Sequence, residues 1–346
     1  MYDVAIIGLG PAGSTLARQL PSTLKTVVID KKQLDGSPGF QKPCGGLLAP
    51  DAQKAMARFG LGFPDRILSD PQLFAVRTID LPTGRERYYQ RFYLNFDRHA
   101  FDLWLASLIP SGVELLDGAL CTGITREKDG TFSVRYRRGG EEKTLQTRYL
   151  VGADGSNSAV RRLFSTKKIR RYTCIQQTFR EPPPSPHFTC FFDERITDCY
   201  GWVNVKDGMA ELGAALPKDS PRKAYETLRT RLEALDFVFG EAVHTQACLV
   251  SSPSSPFQLD CGGEGVFLIG EAAGFVSPSS LEGISYAMNS ADLLAKVLAS
   301  SKSPDRDYRR AAAPIRRRLL LKMCKAPFLY TPLLRRVILW SGIQSI

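Results

Sequence analysis

A chain of 346 residues, 43% hydrophobic and 23% charged, holds enough apolar material for one large domain or two ordinary ones. Its formal net charge is +11, no apolar run reaches the roughly 18 residues of a membrane-spanning helix, and no basic leader precedes the first strand-like run. Eight scattered cysteines without CxxC or Cys/His ligand spacing, and three dispersed histidines, argue against a metal site or a histidine triad; they predict reduced thiols in a cytoplasmic protein.

The chain opens on the apolar run Val4-Ala5-Ile6-Ile7, the turn Gly8-Leu9-Gly10-Pro11-Ala12-Gly13 and the helix-compatible stretch 14–20. Strand, glycine turn and helix are what a dinucleotide pyrophosphate needs. Gly8 permits the tight turn, Gly10 lets the backbone approach the phosphates, and Gly13 lets the helix pack on the strand. The helix N-terminus then offers unpaired N–H groups to the anion. The next strand, 25–29, ends in Asp30, placed to accept hydrogen bonds from adenosine ribose hydroxyls and to disfavour a 2′-phosphate, with Lys31 beside it. A loop at 34–39, the run Gln41-Lys42-Pro43-Cys44-Gly45-Gly46 and a helix from Pro50 to Phe59 follow.

Residues 74–79 and 86–93 alternate like strands around a Pro82-Thr83-Gly84 turn, and Asp97 reads as the N-cap of a helix reaching about Leu108. Short strands are predicted at 113–116, 121–125, 131–136 and 143–147, leading to Tyr149–Gly155. From about 172 to 250 the pattern turns β-rich, with strands at 188–192, 199–205 and 209–215 and one helix near 221–235; Pro182-Pro183-Pro184 interrupts its start. Nucleotide-domain character returns at Gly265–Gly274, before a helix from Gly283 to Ala299.

Three motifs now stand in order: GLGPAG at 8–13, GADGSNSAVR at 152–161 and GEAAGFVSPSSLEGISYAM at 270–288. The set resembles the FAD-binding signature of p-hydroxybenzoate hydroxylase-like flavoproteins. That resemblance implies that Gly152, Asp154 and Gly155 lie beside the pyrophosphate, that Gly270 and Glu271 approach the pyrophosphate and ribityl chain, and that Gly283 and Ile284 reach the flavin edge. It also implies a cofactor contact for Arg98; the family carries Asp where this chain has Glu271. Within that superfamily, Lys42–Leu47 and Gly274–Pro278 resemble the geranylgeranyl reductase family, and KPCGGLLAPDAQKA with GEAAGFVSPSSLEGISYA resembles its CbrA-like bacterial branch. The family's substrate-side pattern, YxWxFP followed by a glycine, is met by Tyr200, Trp202 and Gly213, but Asn204 and Val205 stand in place of Phe and Pro.

The predicted fold is α/β. A Rossmann-type FAD-binding domain (1–72, 97–171 and 256–300) carries an inserted antiparallel β-sheet substrate domain (73–96 and 172–255) and basic amphipathic C-terminal helices over 301–346. Cys44, between Pro43 and Gly45-Gly46, is read either as a thiol beside the flavin, with Gly45 and Gly46 letting the backbone approach, or as a small apolar filler. Tyr200 and Trp202 share a strand face, as core or as an aromatic floor for an apolar substrate. From Asp305 to Ile346 ten Lys/Arg stand against two Asp, with Pro327 and Pro332 expected to break the tail into short helices. No nucleic-acid motif accompanies this charge; residues 315–340 read as a surface for an anionic membrane at the inner face, or as a helical cap on the substrate domain.

The resemblance implies an FAD-dependent oxidoreductase that reduces carbon–carbon double bonds of an isoprenoid or polyprenyl lipid by hydride transfer from reduced flavin. One alternative is an FAD monooxygenase hydroxylating an aromatic or lipid; another is a non-catalytic flavin redox sensor at the membrane. No second GxGxxG follows the first, so NAD(P)H docking transiently, or another reductant, is expected to supply the electrons.

Overall fold

A computed structural model describes residues 1–37, 40–182 and 186–341, and in it the chain divides into two compact units. The first comprises Met1–Gln41, His99–Arg170 and Ser251–Leu321; the second comprises Lys42–Arg98, Arg171–Val250 and Lys322–Ile346. The elements begin β1 (Tyr2–Ile7), α1 (Pro11–Gln19), β2 (Thr26–Ile29), β3 (Leu47–Leu48), α2 (Pro50–Arg58), β4 (Leu73–Asp80), β5 (Arg85–Asn95) and α3 (Arg98–Ser107). They continue through β6 (Glu114–Leu116), β7 (Leu120–Arg126), β8 (Phe132–Arg138), β9 (Glu141–Gly152), α4 (Ala159–Phe164), β10 (Arg171–Phe179), β11 (Phe188–Phe192), β12 (Gly201–Lys206) and β13 (Met209–Leu216). Last come α5 (Pro221–Glu233), β14 (Ala242–Ser251), β15 (Gly262–Gly263), β16 (Val266–Leu268), α6 (Ile284–Ser300), α7 (Pro304–Ala311), α8 (Ala313–Tyr330) and α9 (Pro332–Ser341).

The first unit is built on a sheet in the order β15-β16-β9-β1-β2-β6. From β16 to β6 every pairing is parallel, β15 closes one edge antiparallel, and the β7–β8 hairpin joins β9. Its central strands are buried on both faces, which is why Val4–Ile7 and Val27–Ile29 read as unbroken apolar runs rather than alternating ones. Leaving β1, the chain turns through α1 into β2 on one side, whereas β9 lies on the other. The carboxyl end of β1 is therefore the point where strand order reverses, and open α/β sheets bind ligands there.

The second unit holds a sheet in the order β14-β10-β13-β12-β11-β4-β5-β3. One face, with Ile175, Phe179, Phe191, Val203, Leu212 and Leu216, packs against Tyr225, Leu228 and Leu232 of α5. The alternation of β12 sends Trp202, Asn204 and Lys206 to the opposite face.

The inserted sheet of the second unit is antiparallel as expected, save that β11 runs parallel to β4 with Phe188 opposite Val76. Residues 42–72 belong with this unit and not with the nucleotide unit, since Leu47 pairs with Asn95 of β5 and Phe96 N–H donates to Gly46 O at 2.8 Å. Strands β10 and β14 were not foreseen: Gln176 and Gln177 interrupt the apolar signal of the first, and the second is largely exposed. The predicted strand at 143–147 is the middle of the twelve-residue β9. Pro327 does not end its helix; α8 runs through it for 18 residues, and Thr331 N–H donates to Pro327 O at 2.9 Å. Proline removes one donor there, while Leu329 beyond it is buried and holds the last turn. Residues Pro38, Gly39, Pro183 and Pro184, and the last five of the predicted tail, lie outside the described residues.

Candidate cofactor and substrate sites

The three sequence motifs of the first unit meet at the carboxyl ends of β1, β9 and β16, which are adjacent in the sheet. Ala153 N–H donates to Ile7 O at 2.8 Å, and Ile269 N–H donates to Gly152 O at 3.1 Å. Gly8 has φ +109°, and a Cβ there would stand 2.5 Å from Ala153 O; a Cβ on Gly13 would stand 1.9 Å from Gly8 O. Both glycines are thus needed for turn and helix to close on each other. Gly270, with φ +56°, lies against Ala12 of α1 and Ala287 of α6, each at 3.1–3.3 Å from its would-be Cβ.

Gly10 differs from these. A Cβ there would meet nothing within 4 Å, so the backbone faces open space at the start of α1. Pro11 and Ala12 follow it as the first helical residues, and no side chain caps that turn. The α6 N-terminus, with Gly283 as N-cap and Ile284 first, is likewise without a side-chain cap or an acidic residue in its first turn. Two uncapped helix starts in one unit, one facing open space through a glycine, suit an anionic group.

The acidic residues are placed selectively. Asp30 accepts hydrogen bonds from Leu9 N–H and, at 2.7 Å, from Lys32 N–H, so its carboxylate fixes the glycine turn and keeps lone pairs for a ligand hydroxyl. Asp154 Oδ2 accepts from Ala159 N–H at 2.6 Å, while its buried Oδ1 has no partner among the described residues. Burial pushes the Asp154 carboxyl above the ordinary aspartate range. Gly155 adopts φ +73° at the head of the following turn. Glu271 takes Ser251 N–H at 2.7 Å on Oε1, and Gly270 gives its own N–H to Ser290 Oγ at 2.9 Å.

Two residues escaped the sequence reading. Lys32, not its exposed neighbour Lys31, is buried, with Nζ 2.8 Å from Asp102 Oδ2 of α3 and 3.1 Å from Leu9 O. A buried lysine beside an apolar stretch gives no sequence signal, because its partner lies 70 residues on. Arg161, inside the second motif, donates to Ala272 O at 2.8 Å and Gln258 O at 2.7 Å, which fixes the turn after β16.

The unit that holds Lys42–Arg98 contains the rest of the predicted site: Cys44, Gly45, Gly46, Arg98, Tyr200 and Trp202. Cys44 is half-buried, and Arg98 opens α3 half-buried. The rings of Tyr200 and Trp202 lie 5.7 Å apart. The indole covers Gly213, where a Cβ would stand 2.3 Å from Trp202 Cε2, and its Nε1 faces Gly45 at 3.2 Å from the would-be Cβ. Burial drives the Tyr200 phenol far above its usual range, so it stays neutral.

A parallel sheet with a glycine turn at its reversal point and two uncapped helix starts defines a dinucleotide-binding α/β fold. The residues fit FAD: the open approach at Gly10 suits a pyrophosphate, and the unpartnered Asp154 oxygen suits a ligand hydroxyl. A family model described as an FAD binding domain matches residues 106–310. Over its full length the chain is 48% identical to Protein CbrA of Escherichia coli O6:H1, covering 94% of that protein. A geranylgeranyl bacteriochlorophyll reductase-like protein from Thermoplasma acidophilum shares the fold at TM-score 0.83 and 20% identity, over 100% of this chain and 92% of that one. PqsL of Pseudomonas aeruginosa, described as a probable FAD-dependent monooxygenase, matches at TM-score 0.71 and 20% identity over 99% and 98%. The chain belongs to the FAD-binding family of FAD-dependent oxidoreductases, in its CbrA-like group.

Proposed function

We propose that this protein reduces carbon–carbon double bonds of an isoprenoid or polyprenyl lipid. When bound and reduced, FAD supplies a hydride. The chain's own residues divide the remaining work. Gly8, Gly10 and Gly13 admit and orient the pyrophosphate, Asp30 and Asp154 take ligand hydroxyls, and the α6 start at Gly283 and Ile284 favours negative charge on the ring. NAD(P)H, docking transiently, or another reductant reloads the cofactor. In the second unit, Tyr200 and Trp202, 7% and 8% exposed, are the neutral aromatic pair against which an extended apolar chain would lie, and Cys44 stands on the adjoining loop. The observation that carries this reading is the Tyr200–Trp202 pair over Gly213: the side-chain-free glycine lets the indole lie flat on the strand.

The test is product mass. With chemically reduced FAD in the absence of air, geranylgeraniol should gain two hydrogens per flavin oxidised and no oxygen. Recovery of geranylgeraniol unchanged would count against the lipid reading; a gain of one oxygen atom that requires air would move the assignment to a monooxygenase.

We also propose that α9 lies on an anionic membrane surface. Leu333, Val337 and Trp340 are 71%, 60% and 83% exposed and recur at i, i+4 and i+7, so they share one helix face. Lys322, Lys325 and Arg336 supply positive charge on the same segment, and 322–341 contains no Asp or Glu. Among the described residues no helix is long and apolar enough to cross a membrane.

A further inference from the structure

The two glycines after Cys44 serve a lysine. Gly46 has φ +60°, and the place its Cβ would take is filled by the Lys206 ammonium, 1.9 Å away. Through that gap Lys206 Nζ donates to Phe96 O at 3.0 Å and to Gly45 O at 3.3 Å. Asn204 Nδ2 reaches the same Gly45 carbonyl at 3.3 Å. Gly46 O is held in turn by Phe96 N–H at 2.8 Å. Both carbonyls of the glycine pair are therefore tied down, and on the Gly45 side two buried donors converge on one oxygen.

These donors are themselves oriented. Glu211 stands directly opposite Asn204 across β12 and β13. Its Oε2 accepts from Asn204 Nδ2 at 3.2 Å and lies 3.7 Å from Lys206 Nζ, while its Oε1 accepts from Gln176 Nε2 of β10 at 3.2 Å. Asn204 is fully buried, and the Lys206 and Glu211 side chains are each 11% exposed. A buried ammonium without an anion is costly, so Glu211 is what allows Lys206 to stand under the loop. Asn204 occupies the position where the geranylgeranyl reductase pattern carries Phe, which could not donate to Gly45.

We propose that Lys206, held by Glu211 and Asn204, is a positioning residue that fixes the backbone of the Cys44–Gly46 loop and thereby the Cys44 thiol. It goes beyond the proposed activity and holds whatever the substrate is. It also gives Gly46 a role the motif alone does not reveal: its missing side chain is the passage for the ammonium.

The experiment reads the thiol directly in the FAD-loaded full-length protein, as the rate of iodoacetamide alkylation at Cys44 followed by peptide mass spectrometry. Cys324, exposed on α8, serves as the internal reference. Lys206→Met removes one charged donor from Gly45 and should raise the Cys44 rate about tenfold relative to Cys324, as expected for one charge-assisted hydrogen bond. That variant leaves Glu211 buried without its cation, so the decisive variant is Lys206→Met with Glu211→Gln, which removes both charges together. A raised rate at Cys44 in the double variant, with its melting temperature near that of the parent, supports the clamp. A Cys44 rate within about twofold of the parent in the double variant overturns it, because the ion pair would then matter only to stability.

Discussion

Arg335 Nη2 lies 2.6 Å from Asp80 Oδ1, although 255 residues separate the two in the chain, and their side chains are 4% and 0% exposed. The pair ties α9 to the end of β4, and Arg335 also reaches Glu194 Oε2 at 3.0 Å. Arg335 sits on the side of α9 opposite Leu333, Val337 and Trp340, so one helix docks through a buried guanidinium and presents an apolar stripe outward.

Removing one partner of a buried pair strands the other. Arg335→Ala should lower stability by about 3–5 kcal/mol, read as a shift in the denaturant midpoint of unfolding. Arg336→Ala is the control: Arg336 is 40% exposed with Nε 4.0 Å from Asp80 Oδ2, and its loss should cost under about 1 kcal/mol. Equal effects from the two substitutions would deny Asp80 its special dependence on Arg335. A chain cut at Pro314 removes Arg335 altogether and should fail to fold stably.

The glycines of the first turn should separate binding from folding. Gly10→Val places its side chain in open space, so the protein should fold at a cost of about 1 kcal/mol for the poorer N-cap, yet lose FAD. Gly13→Val drives a Cβ to within 1.9 Å of Gly8 O and should impair folding itself. Circular dichroism reports the fold and visible flavin absorbance reports the cofactor. A Gly10→Val protein that is folded and still yellow would remove the pyrophosphate from that turn.

The parts of this molecule written locally were legible in its sequence. The strand–turn–helix at 2–19 and the hairpin around Pro82-Thr83-Gly84 follow from turn chemistry and periodicity within a dozen residues. What escaped depends on pairing across long stretches. Lys32 with Asp102, Lys206 with Gly45 and Arg335 with Asp80 each look like a solvated charge until the fold supplies a partner. The same holds for residues 42–72: the two residues of β3 carry no strand signal of their own and are defined only by Asn95 and Leu94 across from them. Gly45 and Gly46 were visible as a motif, but the reason for Gly46 lies 160 residues away on β12.

Asp154 makes a pH prediction. Its carboxyl is raised in the folded protein because burial penalises the charge. A group raised on folding binds its proton more tightly in the folded state; its contribution is full below the unfolded value, about 3.9, and is lost as pH rises through the folded value. Asp154→Asn cannot ionise and escapes that loss. For cofactor-stripped protein, the stability of the parent relative to Asp154→Asn should therefore fall as pH rises above about 4. A difference between the two unfolding midpoints that stays constant as pH rises would contradict the buried, raised carboxyl.

The α9 surface yields the last prediction. If Leu333, Val337 and Trp340 enter the headgroup region while Lys322, Lys325 and Arg336 face anionic lipid, the protein should co-sediment with phosphatidylglycerol vesicles and much less with phosphatidylcholine alone. Each basic residue near the surface contributes about 1 kcal/mol, and salt should release the protein as the screening length falls from about 8 Å at 0.15 M to about 3 Å at 1 M. Replacing Leu333, Val337 and Trp340 together by Ser removes side chains that are more than half exposed, so the melting temperature should hold. Vesicle affinity should nevertheless drop at least about tenfold, since burial of even one large apolar side chain is worth about 1.5–3 kcal/mol. Equal retention on neutral and anionic vesicles would refute the electrostatic part. Unchanged affinity in the triple Ser variant would refute the apolar part, leaving α9 only the docking role that Arg335 and Asp80 give it.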